Sequence, residues 1–449
     1  MSRNILAIDI GSTKICTVIA KVDAEGASIL GSGITRSQGL KKGVITNIDQ
    51  AARSIKESYH TASRVAGTSP NKAIISISGA YVKSINSSGI VNIPNKEISL
   101  DEINRALQTA LYNANIPHEY EVIHILPYKF KVDDQDFIED PLGMTANRLE
   151  AEVHIVTAQK SSVYNVKKAV RQAGIEIENI VLSGYASAIA TLNEDDKELG
   201  AAVIDMGGSS CNLVIHSGNS IVYDDFLGVG SMHLTNDLSV ALHTPLSTAE
   251  EIKIYYGDLS EPKSDYIEIP IIGDEQQSHQ VSLEIVYQVI YARVEETLMI
   301  LAKSIEKSGL KEQLGAGVIL TGGMTKLTGI RELASALFDN LPVRVAKPKR
   351  VDGFFDELDD PSFSTVVGLV LYGAGEHTTY EIDSNKRLRT KNDLEFTDTK
   401  SSYEQEVLTS KEEELEVLDE LTQMHTFEEE KTSLKDKITK FTRWLTQLF

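Results

Sequence analysis

The amino-acid sequence predicts an α/β protein made of two similar halves, followed by a polar linker and a C-terminal amphipathic helix. Strand-like apolar runs such as "AEVHIVTA", "AAVIDM" and "GVILT" alternate with helical patterns up to about Gly375, as is typical of α/β domains. A repeated segment begins at Ile8 and again at Ile204, 196 residues further on. This distance is too long for a stacked repeat array and suits two halves of one molecule.

The composition limits the location of the chain and its ligands. A length of 449 residues with 41% hydrophobic residues is enough for several cores. The net charge of −21 argues against nucleic acid as the main ligand, because phosphate binding needs clustered Lys and Arg. The N-terminus lacks the apolar region of a secretory signal and no apolar run reaches membrane-spanning length, so we expect a cytosolic protein. We expect Cys16 and Cys211, which lie in strand-like runs, to be buried, reduced thiols.

Each copy of the repeat reads as a strand, a tight turn and a second strand. The segment "IDIGSTKICTVIA" aligns without gaps to "IDMGGSSCNLVIH". Glycines in a turn bring backbone N–H groups close to a ligand and hydroxyl side chains add donors, which suits phosphate oxygens. The turn residues are Gly11, Ser12 and Thr13 in the first copy and Gly207, Gly208, Ser209 and Ser210 in the second.

An acidic residue ends the first strand of each copy. Asp9 and Asp205 would repel bare phosphate, but they suit a Mg²⁺ ion held largely through water between the carboxylates and the phosphates. Two such hairpins facing each other predict a clamp for one Mg-nucleotide. Either hairpin alone is better explained as an ordinary turn, and the recurrence of the same spacing favours the clamp.

Two further segments complete the pattern. In "GVILTGGMTKLTGI" a buried strand runs into Gly322 and Gly323, where the missing side chains permit a flat ring or a ribose to lie against the main chain. A long helix is predicted from Leu283 to Ser308, with Gly309 as its C-terminal stop. Its apolar stripe, which we expect in the core, comprises Leu283, Val286, Ile290, Val294, Leu298, Leu301 and Ile305.

The order of the motifs, two hairpins with Asp and then a strand with Gly-Gly, resembles the actin, Hsp70 and sugar-kinase superfamily, in which ATP lies between two lobes. This resemblance covers residues 1–375. Within the superfamily the chain is similar to the FtsA family of bacterial cell-division proteins. The segments "SGYASAIATL", "GVGSMHLTNDLS" and "STAEEIKIYYG", the region from Gly79 to about Gln159, and the tail carry this similarity.

The FtsA resemblance implies an actin-like two-lobed ATPase fold with a small inserted α+β subdomain. The implied boundaries are 1–78 and 160–200 for lobe 1, 79–159 for the insertion (SHS2-like, called 1C in this family), and 201–375 for lobe 2, with a small subdomain at about 240–300. Residues 376–430 would form an acidic, disordered linker and residues 431–449 an amphipathic membrane-targeting helix.

The resemblance also implies roles by position. Lys14 would join the first phosphate loop, and Glu250 and Lys253 would reach the ribose and adenine beside the Gly-Gly pair. Without the family, Glu250 and Lys253 read as an exposed i,i+3 ion pair. One departure is Asn212, where the superfamily commonly has Asp. Because fewer acidic groups then hold metal or orient water, we expect ATP hydrolysis to be slow or absent.

The last nineteen residues predict a helix that lies on a membrane surface. Residues 401–430 carry eleven Asp and Glu against one Lys, whereas residues 431–449 carry five Lys and Arg against one Asp. On a helical wheel the apolar residues share one face and the basic residues lie outside it or at its edge, which suits an anionic bilayer. The apolar face comprises Leu434, Ile438, Phe441, Leu445 and Leu448, flanked by Trp444 and Phe449, and the basic residues are Lys435, Lys437, Lys440 and Arg443. The alternative is a helix docked on the body of its own protein.

The resemblance implies an ATP-binding protein that polymerises and tethers the FtsZ ring to the inner face of the cytoplasmic membrane at the division septum. The expected ligands and partners are ATP, Mg²⁺, FtsZ, other division proteins, further copies of the chain and anionic lipid, but no nucleic acid. One alternative is a small-molecule kinase, which needs a general base for which the sequence has no signature. A second is a pilus-assembly relative, which would not be expected to keep the linker and the terminal helix.

Overall fold

The computed structural model describes residues 2–353 and 356–390, whose strands form two five-stranded sheets, one four-stranded sheet and two small two-stranded sheets. The strands are β1 (Arg3–Ile10), β2 (Lys14–Asp23), β3 (Gly26–Arg36), β4 (Leu40–Lys41), β5 (Val44–Ile45), β6 (Lys72–Ile77), β7 (Val82–Asn92), β8 (Tyr120–Val132), β9 (Gln135–Ile138), β10 (Arg148–Gln159), β11 (Glu176–Leu182), β12 (Ala201–Met206), β13 (Cys211–Ser217), β14 (Ser220–Leu227), β15 (Tyr266–Ile271), β16 (Asp274–Ser282), β17 (Gly317–Thr321) and β18 (Val343–Val345).

The α-helices of the described residues lie between these strands and after them. They are α1 (Ile48–Ala66), α2 (Leu100–Asn113), α3 (Lys160–Gln172), α4 (Ser183–Thr191), α5 (Glu194–Leu199), α6 (Ser231–Ala241), α7 (Leu246–Tyr256), α8 (Leu283–Ser308), α9 (Ile330–Leu337) and α10 (Ser364–Gly373). The predicted linker from residue 391 to 430 and the predicted helix from 431 to 449 lie outside the described residues.

The two five-stranded sheets have the same topology. The strand order is β11-β6-β1-β2-β3 in lobe 1 and β18-β17-β12-β13-β14 in lobe 2. In each sheet the hairpin of the repeated motif is antiparallel, and its first strand pairs in parallel with a later strand, β6 or β17. The repeat therefore occupies equivalent positions in two equivalent sheets, which confirms the prediction of two similar halves.

The long helix α8 ends where the sequence predicted. Its N-cap Ser282 accepts a hydrogen bond from the backbone N–H of Glu284, and Gly309 ends it with a left-handed φ of 72°. The seven residues of the predicted apolar stripe are all buried in the core of lobe 2. No helix in the described ranges is long and apolar enough to cross a bilayer.

The insertion between β6 and α3 is a four-stranded sheet in the order β7-β10-β8-β9, with α2 packed on it. A capping box of Ser99 and Glu102 begins α2. Polar contacts hold the insertion to β14, the edge strand of lobe 2. The Nε2 atom of His154 lies 2.8 Å from Asp224 Oδ1, and Asn86 Nδ2 donates to the Val222 carbonyl at 3.1 Å.

Helices α4 and α10 pack closely against each other. A Cβ atom on Gly368 of α10 would lie 1.8 Å from the Ala186 carbonyl oxygen of α4, so only glycine permits this approach. The predicted boundary of lobe 2, 201–375, is wrong at its end, because α10 packs against β1, β2 and β6 of lobe 1. All ten residues of α10 are buried. Because α10 is apolar on every side, its sequence does not indicate which sheet it packs against.

The prediction that residues 376–430 form a flexible linker is wrong for its first part, residues 376–390, which we call the strap. Tyr380 and Ile382 of the strap are buried in the core of the insertion. The backbone groups of Ile382 and Ile125 of β8 exchange two hydrogen bonds of 3.0 Å. Only two apolar residues of the strap alternate with polar ones, which is too short a pattern to predict a strand. Its partner strand also lies more than 200 positions away in the chain.

A buried carboxylate fixes the strap to the two packed helices and to the insertion. Glu381 is fully buried. Its Oε1 accepts from Tyr372 of α10 at 2.5 Å and lies 3.2 Å from His124 Nδ1 of β8, and its Oε2 accepts from Tyr185 of α4 at 2.9 Å. Burial alone would raise the pKa of Glu381, but the hydrogen bond with His124 and electrostatic interactions with His124, His377 and Arg389 outweigh it and lower the pKa to about 2.

We expect Glu381→Ala to destabilise the described body by about 3–5 kcal/mol, because it leaves a buried imidazole and two phenols without their acceptor. Glu376→Ala is the matched control, because Glu376, on the same strap, forms a partly exposed ion pair with Lys349. This substitution should lower the free energy of unfolding by less than about 1 kcal/mol.

The pKa of Glu381 also sets the sign of a pH effect. Its folded-state pKa of about 2 lies below the ordinary value of 4.5, so the stabilisation is fully present above pH 4.5 and is lost as the pH falls toward 2. In urea unfolding the difference between the native chain and Glu381→Gln should therefore shrink from pH 7 to pH 3. An equal difference at both pH values would contradict this assignment.

Candidate nucleotide site

The two predicted phosphate turns face each other across the lobes. The first turn joins β1 to β2 and the second joins β12 to β13. A Cβ atom on Gly208 would lie 2.2 Å from Cγ2 of Thr13. Two turns that lie nearly 200 positions apart in the chain are thus in direct contact, as the clamp requires.

The two acidic residues of the repeat are both held by hydroxyl groups. Asp9 Oδ1 accepts a hydrogen bond from Ser76 at 2.8 Å. Asp205 Oδ2 accepts from Ser187 of α4 at 2.6 Å and from Thr365 of α10 at 3.0 Å. The second carboxylate is therefore bound to both of the closely packed helices.

The environment of these carboxylates favours a cation. Burial, with a smaller contribution from the charge of Asp205, raises the pKa of Asp9 to about 6, although the Ser76 hydrogen bond partly opposes the shift. Burial also raises the pKa of Asp205. Among the described residues no three His, Cys, Asp or Glu side chains converge as metal ligands. Two carboxylates with few direct protein ligands match Mg²⁺, which usually keeps several waters.

A polar atom in the second turn also lacks a partner. The hydroxyl of Ser209 is buried and has no hydrogen-bond partner within the described part of the chain. A buried hydroxyl without a partner is unfavourable, so a ligand oxygen that accepts from it would stabilise the turn. Ser209 therefore fits the role of a phosphate donor.

The Gly-Gly segment packs on the second turn. Gly322 follows β17 with a φ of +90°, and a Cβ atom there would lie 2.4 Å from Asp205 Oδ1 and 2.6 Å from the Met206 carbonyl. Gly323 begins a 3₁₀ turn that ends at Lys326. The structure thus brings the third motif to the same place as Asp205, and only glycine allows this approach.

Lys14 lies between the first turn and the segment before α10. Its Nζ donates to Ser362 Oγ at 2.8 Å and lies 3.2 Å from the ring centroid of Phe363. Burial lowers the pKa of Lys14, opposed by nearby negative groups that include Asp9. Lys14 therefore holds lobe 1 to the chain that leads into α10, and its contact with phosphate stays a prediction.

Glu250 and Lys253 form the local ion pair that their spacing indicates. Lys253 Nζ donates to Glu250 Oε2 at 2.7 Å and to Thr235 Oγ1 at 3.0 Å. Thr235 Oγ1 also donates to Glu250 at 2.5 Å. These bonds join α7 to α6, and a contact of either side chain with ribose or adenine stays a prediction.

Asn212 connects the second hairpin to the insertion. Its Oδ1 accepts from the backbone N–H of Gly79, where the insertion begins, at 3.4 Å. Sequence reasoning did not find this contact, and it also missed Ser76, Ser187 and Thr365. A single Ser or Thr in an apolar segment forms no recognisable sequence pattern. Its role as a hydrogen-bond donor appears only when the fold brings a carboxylate close to it.

A cavity of 710 Å³ lies away from this site. Residues of the insertion, α4, α5, the turn between β13 and β14, and the strap line it, and they include Tyr128, Tyr185, His216 and Thr378. None of the predicted nucleotide-binding residues is part of this lining. The chemistry of the paired turns, and not cavity size, therefore locates the candidate site.

The molecule has two equivalent lobes and an insertion, and this architecture is that of the actin-like proteins. Its fold is similar to that of a chain in the PilM-PilN type IV pilus biogenesis complex, with a TM-score of 0.60 and 19% identity, covering 82% of this chain and 98% of that one. It is also similar to MreB5 of Spiroplasma citri bound to ADP, with a TM-score of 0.50 and 13% identity, covering 82% and 96%. These likenesses concern the fold and confirm the predicted actin-like two-lobed fold, whereas the predicted terminal helix lies outside the described residues.

Sequence relatives specify the family. The family model described as "SHS2 domain inserted in FTSA" matches residues 79–157, and the model described as "Cell division protein FtsA" matches residues 202–368. Cell division protein FtsA of Helicobacter pylori is 43% identical over 427 residues, covering 88% of this chain and 87% of that protein. The Pseudomonas aeruginosa protein of the same name is 36% identical over 375 residues, covering 83% and 89%. The chain belongs to the FtsA family, and its role lies in cell division.

Proposed function

We propose that the chain binds Mg-ATP between its lobes, polymerises, and tethers the FtsZ ring to the inner face of the cytoplasmic membrane. The observation that carries the nucleotide part is the contact between the two turns, each next to a carboxylate of raised pKa. Mg²⁺ would neutralise Asp9 and Asp205, and the donors of both turns would hold the phosphates. The solved relative with ADP shares this fold.

The site suits a nucleotide-controlled conformational switch better than rapid ATP hydrolysis. Asp205 is hydrogen-bonded to α4 and α10, and the same two helices hold the strap through Tyr185 and Tyr372. A nucleotide whose phosphates bind between the two turns would change their contact and could therefore reposition the packed helices. Assembly of subunits would follow from this rearrangement, and Asn212 in place of a carboxylate would keep the bound nucleotide from rapid hydrolysis.

Membrane attachment would come from residues 431–449, which lie outside the described residues. A short amphipathic helix binds weakly, comparable at best to one acyl chain with a binding constant of about 10⁴ M⁻¹. Many helices on one filament bind together through their effective concentration. The protein would therefore be peripheral and would stay at the septum only where filaments form, together with FtsZ and other division proteins.

Sedimentation of filaments tests the nucleotide part. The native chain should pellet with Mg-ATP and stay in solution without it, whereas Asp205→Asn should need at least tenfold more Mg-ATP because one cation ligand is lost. Asp339→Asn is the control, since the Asp339 side chain is 79% exposed on lobe 2. Equal pelleting with and without Mg-ATP would refute nucleotide-driven assembly. A kinase or a pilus-assembly role gains no specific support from the site.

A further inference from the structure

The outer helices of lobe 1 carry a marked excess of positive charge. Helices α1 and α3 pack side by side and together contain seven Lys and Arg residues against two acidic ones, although the whole chain has a net charge of −21. Helix α3 contains no acidic residue. We call this surface the basic face, and its basic residues are Arg53, Lys56, Arg64, Lys160, Lys167, Lys168 and Arg171.

Most of these cations have no acidic partner. Of the seven, only Lys167 has a carboxylate oxygen of the described residues within 4.0 Å, that of Glu121 at 3.2 Å, and the other six side chains are exposed. The basic residues of the lobe 2 helices are more often neutralised, as Arg293 is by Asp237 and Glu296. Unpaired exposed cations on a strongly acidic protein point to an anionic partner.

The arrangement of the basic face is extended and includes apolar side chains. Lys160, Tyr164, Lys168 and Arg171 share one side of α3 at helical spacing, and Tyr164 is 64% exposed. On α1, a shallow hollow is lined by Arg53, Lys56, Glu57, His60, Thr61 and Arg64, and the neighbouring Val65 is 53% exposed. Basic residues interleaved with an exposed tyrosine are typical of surfaces that meet a membrane interface.

We propose that the basic face lies on an anionic lipid bilayer as a second contact, separate from the C-terminal helix. This inference rests on the proposed membrane function. Lipid suits the surface better than the acidic segment 401–430 of the same chain does, because an acidic segment would gain nothing from exposed Tyr164 and Val65. Each Lys or Arg close to an anionic membrane strengthens binding by about fivefold. The contact also orients each subunit, with the outer helices of lobe 1 toward the membrane.

Charge reversal in the full-length chain tests the proposal. The test variant is Arg53→Glu/Lys56→Glu/Lys168→Glu, and the control Lys303→Glu/Lys307→Glu/Arg331→Glu makes the same change in net charge at exposed positions of α8 and α9. Binding is measured by flotation with vesicles of 30% phosphatidylglycerol in phosphatidylcholine, with pure phosphatidylcholine vesicles and 0.5 M salt as further arms. Unchanged thermal unfolding verifies that both variants fold.

We expect the test variant to bind the anionic vesicles at least tenfold more weakly and the control to stay within about twofold, with the difference lost in high salt. Equal weakening of both variants would show an effect of net charge alone and overturn the proposal. Tighter binding of the test variant would show that the basic face holds segment 401–430, which also overturns it. If Trp444→Glu abolishes binding while the test variant does not change it, this inference fails and the proposed function stands. If neither changes binding, the proposed membrane function fails as well.

Discussion

Replacing Gly208 with valine should weaken Mg-ATP binding at least a hundredfold, a loss of about 2.7 kcal/mol or more. The structure supplies the reason, because a Cβ atom at residue 208 would lie 2.2 Å from Cγ2 of Thr13. The added side chain would push the two turns apart and fill space that the phosphates need. Titration calorimetry with Mg-ATP measures the effect directly.

Two controls separate this steric effect from general damage. Gly228→Ala adds a Cβ atom whose nearest neighbour is 3.7 Å away, on the Phe226 ring, so its Mg-ATP affinity should stay within about twofold of the native value. Thr13→Ser removes the atom nearest to residue 208, and it should restore part of the affinity that Gly208→Ala loses. Equal affinity of the native chain and Gly208→Val would refute the clamp between the turns.

Placing a charge at Trp444 should release the protein from anionic vesicles. On the helix predicted for residues 431–449, Trp444 flanks the apolar face, and Trp444→Glu would put a carboxylate where an aromatic ring would enter the headgroup region. We expect binding to fall more than tenfold in co-sedimentation. Lys435→Arg keeps the charge outside the apolar face and should change binding less than twofold.

The vesicle experiment has a clear opposite outcome. If Trp444→Glu or removal of residues 431–449 leaves co-sedimentation unchanged, the C-terminal helix is not the anchor. The basic face of α1 and α3 would then remain as the proposed membrane contact of the described body. In that case its charge-reversal variant should lose vesicle binding.

Local patterns predicted the parts of the fold that local chemistry determines. The stripe and glycine stop of α8 sufficed for its bounds, because a helix buried on one side repeats its apolar residues at helical spacing. The repeated Asp-Gly hairpins predicted two equivalent sheets, because each motif requires the same strand, turn and strand. In these places sequence pattern and tertiary environment agree.

Long-range partners were out of reach of such patterns. The residues that hold Asp205, Ser187 of α4 and Thr365 of α10, lie 18 and 160 positions from it. The strap was mistaken for linker because Glu381 looks like a solvated charge until His124, from a strand more than 250 positions earlier, is placed beside it. The sequence around a charged residue in a polar segment does not indicate whether that residue is buried, and only the fold reveals its partners.

Nucleotide binding between the lobes is proposed to control assembly, and assembly to control membrane attachment. Vesicle binding measured against protein concentration, with and without Mg-ATP, tests this proposal most directly. With Mg-ATP the bound fraction should rise steeply at a threshold concentration, because many weak helices act together only on filaments. Without Mg-ATP, and in Gly208→Val with it, the bound fraction should stay low and show no threshold. Identical curves with and without Mg-ATP, or a bound fraction independent of protein concentration in both, would contradict the account.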